Sequence, residues 1–508
     1  MRLFAASLLL LPFVAVATPI ANMTPLEASP VGNHIDDAYI VVFKKGVDAS
    51  QIALHLNHVE ELHTASPLVN SLAADGSFDN GGLHHVYSLP TENTETSFFG
   101  YAGKFSSETL EAIRSAPEVA YVERDQVMTT MEVPRGVDDE EEIVSTGITT
   151  EQGAPWGLAR ISHRDPLHLS TFQKYLYDSR GGEGVTAYVI DTGINIDHVE
   201  FEGRAKWGKT IPKNDVDKDG NGHGTHCAGT IASKKYGVAK AAEVVAVKVL
   251  GSNGSGSMSD VVAGVLWAGE QATIKAKEAA HEVAASGKTK QKGCVANMSL
   301  GGGKARSLDD AVNAAVEAGL HFAVAAGNDN KDACNYSPAA AERAITVGAS
   351  TLGDERAYFS NYGKCVDVFA PGLNILSTWT GGNSTTNTIS GTSMASPHIC
   401  GLLAYLVSIH GTETFSLFEE GLDELVASQS VYDKAYAQAW SLLPNLAQAI
   451  FPEPKIKISS VLSKGDSLTP PKLKKALLKL ATPGVLTDLP KDSPNLLAFN
   501  NATLPKFK

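Results

Sequence analysis

Cysteine is scarce in this 508-residue chain: five residues, none spaced Cys-x-x-Cys, and no His-x-x-x-His pair accompanies them. The absence of those spacings argues against zinc ribbons and vicinal redox motifs, and an odd count leaves at least one thiol unpaired within the chain. Positive charge is also in deficit. Net charge is −14, and no basic block is long enough to grip a phosphate backbone, which argues against a nucleic-acid partner. Beyond the N-terminus no segment reads as long and apolar enough to span a membrane, and no internal repeat is found. What remains, 43% hydrophobic and 19% charged, is ordinary globular material with length for more than one domain.

The N-terminus carries Arg2, an apolar run from Leu3 to Val16, and a small-x-small site at Ala15-Val16-Ala17. Residues 1–17 therefore read as a signal peptide, and the secretory route permits disulfides. Cys334 and Cys365 lie in loops flanking an expected strand, residues 344–350, and are expected to pair. Residues 38–128 read as a small α+β domain. Its expected elements are a strand Ala38-Tyr39-Ile40-Val41-Val42-Phe43, a helix over 49–63, a strand over 101–105, a helix over 107–115 and a strand over 119–123. Residues 129–150, with an acid run at 138–142, are expected to be a cleavable linker. Residues 411–467 form a long insertion with helical patches at 415–426 and 432–450 and no readable role. Among six Asn-x-Ser/Thr sequons, Asn383 is the best glycan candidate and Asn297 is expected to be buried.

The run Gly391-Thr392-Ser393-Met394-Ala395-Ser396-Pro397, followed by apolar residues to 409, predicts a tight turn feeding a buried helix. Ser393 then sits at a helix N-terminus, where free N–H groups and the positive dipole end favour a developing negative charge. A hydroxyl is a poor nucleophile without a base beside it and a third group to orient that base. Asp191 ends the apolar run Ala187-Tyr188-Val189-Ile190, at the carboxyl end of an expected buried strand. His223, between Gly222 and Gly224, opens a small-residue helix and is the natural general base. Asn328 follows the run Phe322-Ala323-Val324-Ala325-Ala326-Gly327 and can donate to an oxyanion. Each alone has a plainer reading as a turn residue, a satisfied histidine or a helix cap. Together they follow one of the known chain orders of an Asp-His-Ser triad. His198 and His226 read as structural, and Cys227 as an inert buried thiol.

With Ala154-Pro155-Trp156-Gly157-Leu158-Ala159-Arg160-Ile161-Ser162 and Asn297-Met298-Ser299-Leu300-Gly301-Gly302-Gly303, these motifs make the chain resemble the subtilisin-like serine peptidases over most of residues 151–410. The wording is similar to the proteinase K branch. Around Ser252-Asn253-Gly254-Ser255-Gly256 and Ser162-His163-Arg164 it looks closest to the cerevisins, fungal vacuolar endopeptidases. The resemblance implies an α/β, three-layer fold with a mostly parallel central sheet over residues 151–508, preceded by a small α+β propeptide domain. It includes a late helix near Pro470 and a closing strand near Leu496.

Carried over, the roles are Asp191, His223 and Ser393 as triad and Asn328 as oxyanion donor. Gly254, Ser255 and Gly256, with Ser299, Leu300 and Gly301, would flank an extended substrate by β-augmentation. Ala325, Ala326 and Gly327 would wall the S1 pocket. Those walls hold no acid, and Thr192 stands where the proprotein-processing branch has a second Asp, so apolar or aromatic P1 residues are expected. The domain at 38–128 would be an inhibitory propeptide removed by self-cleavage, with the mature start in 144–151. No cofactor is required, but Asp367 matches a carboxylate of a calcium site, which makes structural calcium an expectation there. The implied partners are polypeptide substrates and the chain's own propeptide, around a monomer without a membrane anchor. The vacuole is the implied location, and the extracellular space its alternative. A rival reading is a catalytically silent homologue that binds or inhibits through its N-terminal domain. The intact Asp191, His223, Asn328 and Ser393 weigh against it.

Overall fold

Val185–Asp191 is buried along its whole length, as a strand covered on both faces must be. Its side chains alternate between two cores: Ala187 and Val189 join one apolar cluster, Tyr188 and Ile190 the other. Around it the computed structural model, which describes residues 23–66, 81–134, 148–412, 415 and 468–502, builds a nine-stranded sheet. The order is Ala205–Thr210, Glu243–Lys248, Val185–Asp191, Gly293–Met298, His321–Ala325, Ile345–Ser350, Val368–Pro371, Leu496–Leu497 and Thr482–Pro483. Every neighbouring pair is parallel except the last. Helices His223–Ala232 and Thr392–Ile409 cover one face, and Met258–Ser286 and Arg306–Glu317 the other, giving the three layers of a subtilisin-like α/β fold. Strand order reverses beside Val185–Asp191, and such a switch point opens a crevice at the carboxyl ends of the strands.

Thr392–Ile409 corrects one expectation. Its 18 residues are long and apolar enough to cross a membrane, but all of them are buried within the protein. The helix is the centre of a core. A buried ion pair ties the start of the domain to its middle. The Arg160 guanidinium, fully enclosed, meets Asp354 at 2.6 and 3.1 Å in a two-pronged contact. Cys334 and Cys365 are bonded, while Cys227, Cys294 and Cys400 are buried free thiols.

The N-terminal domain contributes four antiparallel strands, ordered Val119–Thr130, His34–Phe43, Phe98–Lys104 and Gly82–Leu89, and a short parallel one, Leu26–Glu27 beside Val119–Thr130, to an eight-stranded sheet. Helices Ala49–Thr64 and Ser107–Ser115 complete it, the first opened by a capping box between Asp48 and Gln51. The strand Gly82–Leu89 was not expected from sequence. Alternation again divides the labour. Tyr39, Val41 and Phe43 pack on the domain's own helices, whereas Ile40 and Val42 join the core around Met258–Ser286 and Arg306–Glu317. The sheet thus lies flat on the two surface helices of the larger domain.

The linker boundary also needs correction. Val119–Thr130 is 12 residues long and runs past residue 128 into the larger domain. Its last residues pair antiparallel with Ser255–Ser257 on one edge and with Leu300–Gly303 on the other. Val133 and Pro134 pair with Ser390 and Ile389. Ile148–Gln152 is already a strand of the larger domain, bonded to Lys174–Asp178. The signal peptide, the acid run at 138–142 and all but residues 411, 412 and 415 of the 411–467 insertion lie outside the described residues.

Candidate active site

Three neighbouring strands end at the crevice and deliver Asp191, Ser299 and Asn328 at or just beyond their carboxyl ends. Two helix N-termini face them and supply His223 and Ser393. His223 Nδ1 lies 2.8 Å from Asp191 Oδ1, and both side chains are fully buried. Burial opposes the imidazolium, but the Asp191 carboxylate, helped by Glu132 and Asp219, outweighs it and raises the His223 pKa. His223 Nε2 has no hydrogen-bond partner among the described residues. Ser393 Oγ donates to the carbonyl of Ser299 at 2.9 Å. Asn328 accepts from Thr392 N and Thr392 Oγ1 through Oδ1, which leaves its buried Nδ2 without a partner.

Residues that touch no reacting group hold this arrangement. Asp219 accepts from Thr192 Oγ1, from the N–H groups of Asn221, Gly222 and Thr225, and from Thr225 Oγ1. It thereby shapes the turn before His223. Gly222 has φ +110°, and a side chain there would collide with Trp379, so only glycine fits. Thr392 Oγ1 accepts from Gly327 N and fixes Asn328 to the Ala325-Ala326-Gly327 segment. The sequence reading passed over Asp219 and gave Thr192 and Thr392 no part in holding the site. The Asp-Gly-Asn-Gly run before His223 was the available signal, because an Asp in such a turn caps several N–H groups.

The other expected structural residues have clear partners. His226 Nε2 faces the carbonyls of Ile375 and Asn387, and burial drives its pKa down to about 3. His198 bonds Thr385 O and is likewise lowered by burial. Cys227 points at the Ser393 carbonyl, and burial with Asp191 nearby pushes its pKa well up, so it stays a thiol. Asn297 is fully buried, bonded to Ser299 Oγ and Ser396 Oγ, and out of reach of glycosylation. Asn383 is exposed. The calcium expectation at Asp367 meets an obstacle: its Oδ2 accepts from Lys474 Nζ at 2.9 Å and from Thr346 N. An ammonium already supplies the positive charge there, and that oxygen does not fit a cation.

The crevice is filled by the chain itself. Thr129 and Thr130 lie between the Ser255–Ser257 and Leu300–Gly303 strands, with Thr130 N donating to Gly254 O at 3.0 Å. Met131 and Glu132 follow, and Glu132 is mostly enclosed, its pKa raised by burial despite attraction to His223. Two further contacts brace this docking. Glu123 accepts from Arg306 N, Ser307 N and Ser307 Oγ, and Asp125 accepts from Ser259 N and Ser259 Oγ, so propeptide-side carboxylates cap two helices of the larger domain.

Comparison with known proteins agrees with this architecture. Residues 182–419 match the Subtilase family, and residues 38–131 match Peptidase inhibitor I9. "Alkaline protease 2" of Aspergillus fumigatus is 52% identical over 501 residues, covering 97% of this chain and 88% of that protein. "Subtilisin-like serine protease Pen ch 18" of Penicillium rubens is 52% identical over 505 residues, covering 97% and 87%. A solved structure described as a cold adapted subtilisin-like serine proteinase is 37% identical with a TM-score of 0.50, covering 69% of this chain and 99% of that one. Identity at this level along nearly the whole chain means that the protein belongs to the subtilisin-like serine peptidases, with an inhibitor domain ahead of its peptidase domain.

Proposed function

We propose that this serine peptidase is a self-processing zymogen of cerevisin type whose reaction centre is Asp191, His223, Ser393 and Asn328. The carrying observation is a matched pair of orphaned atoms. Among the described residues, His223 Nε2 and Asn328 Nδ2 are both buried and without a partner, at the N-terminal end of the helix Thr392–Ile409 that carries Ser393. One is an acceptor awaiting a proton, the other a donor awaiting an oxygen. Ser393 swings its hydroxyl from the Ser299 carbonyl toward His223 Nε2, gives up its proton there and attacks the peptide carbonyl carbon. Asp191 holds the imidazole by Nδ1 and stabilises its charged form. Asn328 Nδ2 and the Ser393 N–H hold the oxyanion. His223 returns the proton to the leaving amine, an acyl ester remains on Ser393, and water releases it by the reverse steps.

The flanking strands at Gly254, Ser255, Gly256 and at Ser299, Leu300, Gly301 bind main chain, which makes cleavage broad. Ala325, Ala326 and Gly327 form an uncharged wall suited to apolar or aromatic P1 side chains. The substrates are polypeptides, reached through the secretory route, with the vacuole as site of action. Covalent labelling of the matured protein by an organofluorophosphate tests this reading. An adduct on Ser393, lost in Ser393→Ala, is expected together with faster hydrolysis of Phe or Leu than Arg at P1. A matured protein without an adduct would instead be a silent homologue.

A further inference from the structure

The chain enters the crevice along one pair of strands and leaves along another, and the peptide joining them is fixed by register. Upstream, Thr129 faces Gly301 and Ser255, and Thr130 faces Leu300. Met131 N then donates to Ser299 O at 3.4 Å, the same carbonyl that accepts the Ser393 hydroxyl. Downstream, Val133 is already paired with Ser390. Met131 and Glu132 alone lie between the two ladders, and the peptide between them is the one centred there. Its surroundings are those of a reacting group. A Cβ on Gly391 would collide with the Met131 carbonyl oxygen and would come within 3.1 Å of Asn328 Nδ2 and 3.2 Å of Glu132 Cα. The Met131 side chain lies on Gly301, where a Cβ would strike its terminal methyl group. Glu132 Oε2 is buried with no partner among the described residues. The inhibitor-domain match also ends at residue 131.

We infer that the first self-cleavage falls on the Met131–Glu132 bond, upstream of the 144–151 window that the sequence suggested. The inference rests on the peptidase reading above. Ser393 Oγ adds to the Met131 carbonyl carbon as His223 Nε2 takes the hydroxyl proton. The Met131–Glu132 C–N bond then breaks, and the same proton passes to the new Glu132 amine. Water hydrolyses the Met131 ester, restoring Ser393 and leaving a Met131 carboxylate. The product starts at Glu132 and still carries the acid run at 138–142. Any mature N-terminus further along therefore comes from a second cut.

The full-length precursor is followed in time by intact mass and N-terminal sequencing, beside Ser393→Ala. The expected first pair of products ends at Met131 and begins at Glu132, with no such pair from Ser393→Ala. A first product beginning elsewhere, with the 131–132 bond intact, overturns the assignment while sparing the peptidase reading. Equal behaviour of wild type and Ser393→Ala sinks the peptidase reading instead. Met131→Asp puts a charge on the uncharged Gly301 surface and should slow the first cut by about tenfold or more. Its folding is checked independently by cleavage with added mature enzyme. Unchanged timing in a folded Met131→Asp precursor counts against the assignment.

Discussion

Glu123, on the strand that ends in the crevice, accepts the backbone N–H of Ser307 at 3.0 Å and so caps a helix of the other domain. The contact is buried, and its loss leaves the Arg306 and Ser307 N–H groups without the carboxylate that accepts from them. Glu123→Ala should weaken the hold of the severed N-terminal piece by roughly 1–3 kcal/mol, about five- to 150-fold in dissociation constant. Peptidase activity appearing sooner after self-cleavage, with the cleavage rate itself little changed, is the measured sign.

Burial alone would lower His223, but Asp191, with Glu132 and Asp219, lifts its pKa above the ordinary histidine value in the uncut chain. In the proposed mechanism the base form is the active one, so self-cleavage fails as pH falls through that raised value. Glu132→Gln removes one of the charges lifting His223 while leaving the imidazole buried, so the acid limb of its self-cleavage should lie at lower pH than that of wild type. Coincident limbs would refute the contribution of Glu132.

Asn328→Ala removes a buried side-chain donor that has no partner among the described residues at the proposed reaction centre. A loss of roughly 10²–10³ in kcat is expected, the magnitude known for the corresponding substitution in a subtilisin. KM for a peptide substrate should change little, because the donor acts on the oxyanion. A loss confined to KM would assign Asn328 to ground-state binding.

Asp354→Ala strands the fully enclosed guanidinium of Arg160. Removing one partner of such a pair costs roughly 3–5 kcal/mol. A denaturant midpoint that drops accordingly, with the active-site titre of surviving enzyme unaltered, is the expected result. The double change of Arg160 and Asp354 to apolar residues should recover part of the loss.

The residues that meet in the candidate site announce themselves locally. Asp191 and Asn328 follow apolar strands, and His223 and Ser393 sit in small-residue turns that open helices. What escaped was set by distant contacts. Lys474 meets Asp367 across 107 positions, and nothing near Asp367 advertises it. Asp219 acts through main-chain N–H groups, which sequence does not display. Met131 and Glu132 read as linker because an acid run follows, yet pairing with Leu300–Gly303 and Ser390 fixes them in the crevice. The strand Gly82–Leu89 escaped because its histidines and serine mask a strand whose burial alternates only weakly.

The hydrogen bonding along both edges of the strand ending at Thr130 gives activation its tempo. The proposed cut beyond that strand undoes none of the ladder contacts, so each molecule would begin plugged by its own fragment. Activity then awaits ejection or digestion of the plug. A molecule already open can clear its neighbours, so the lag before activity should shorten as the protein is concentrated.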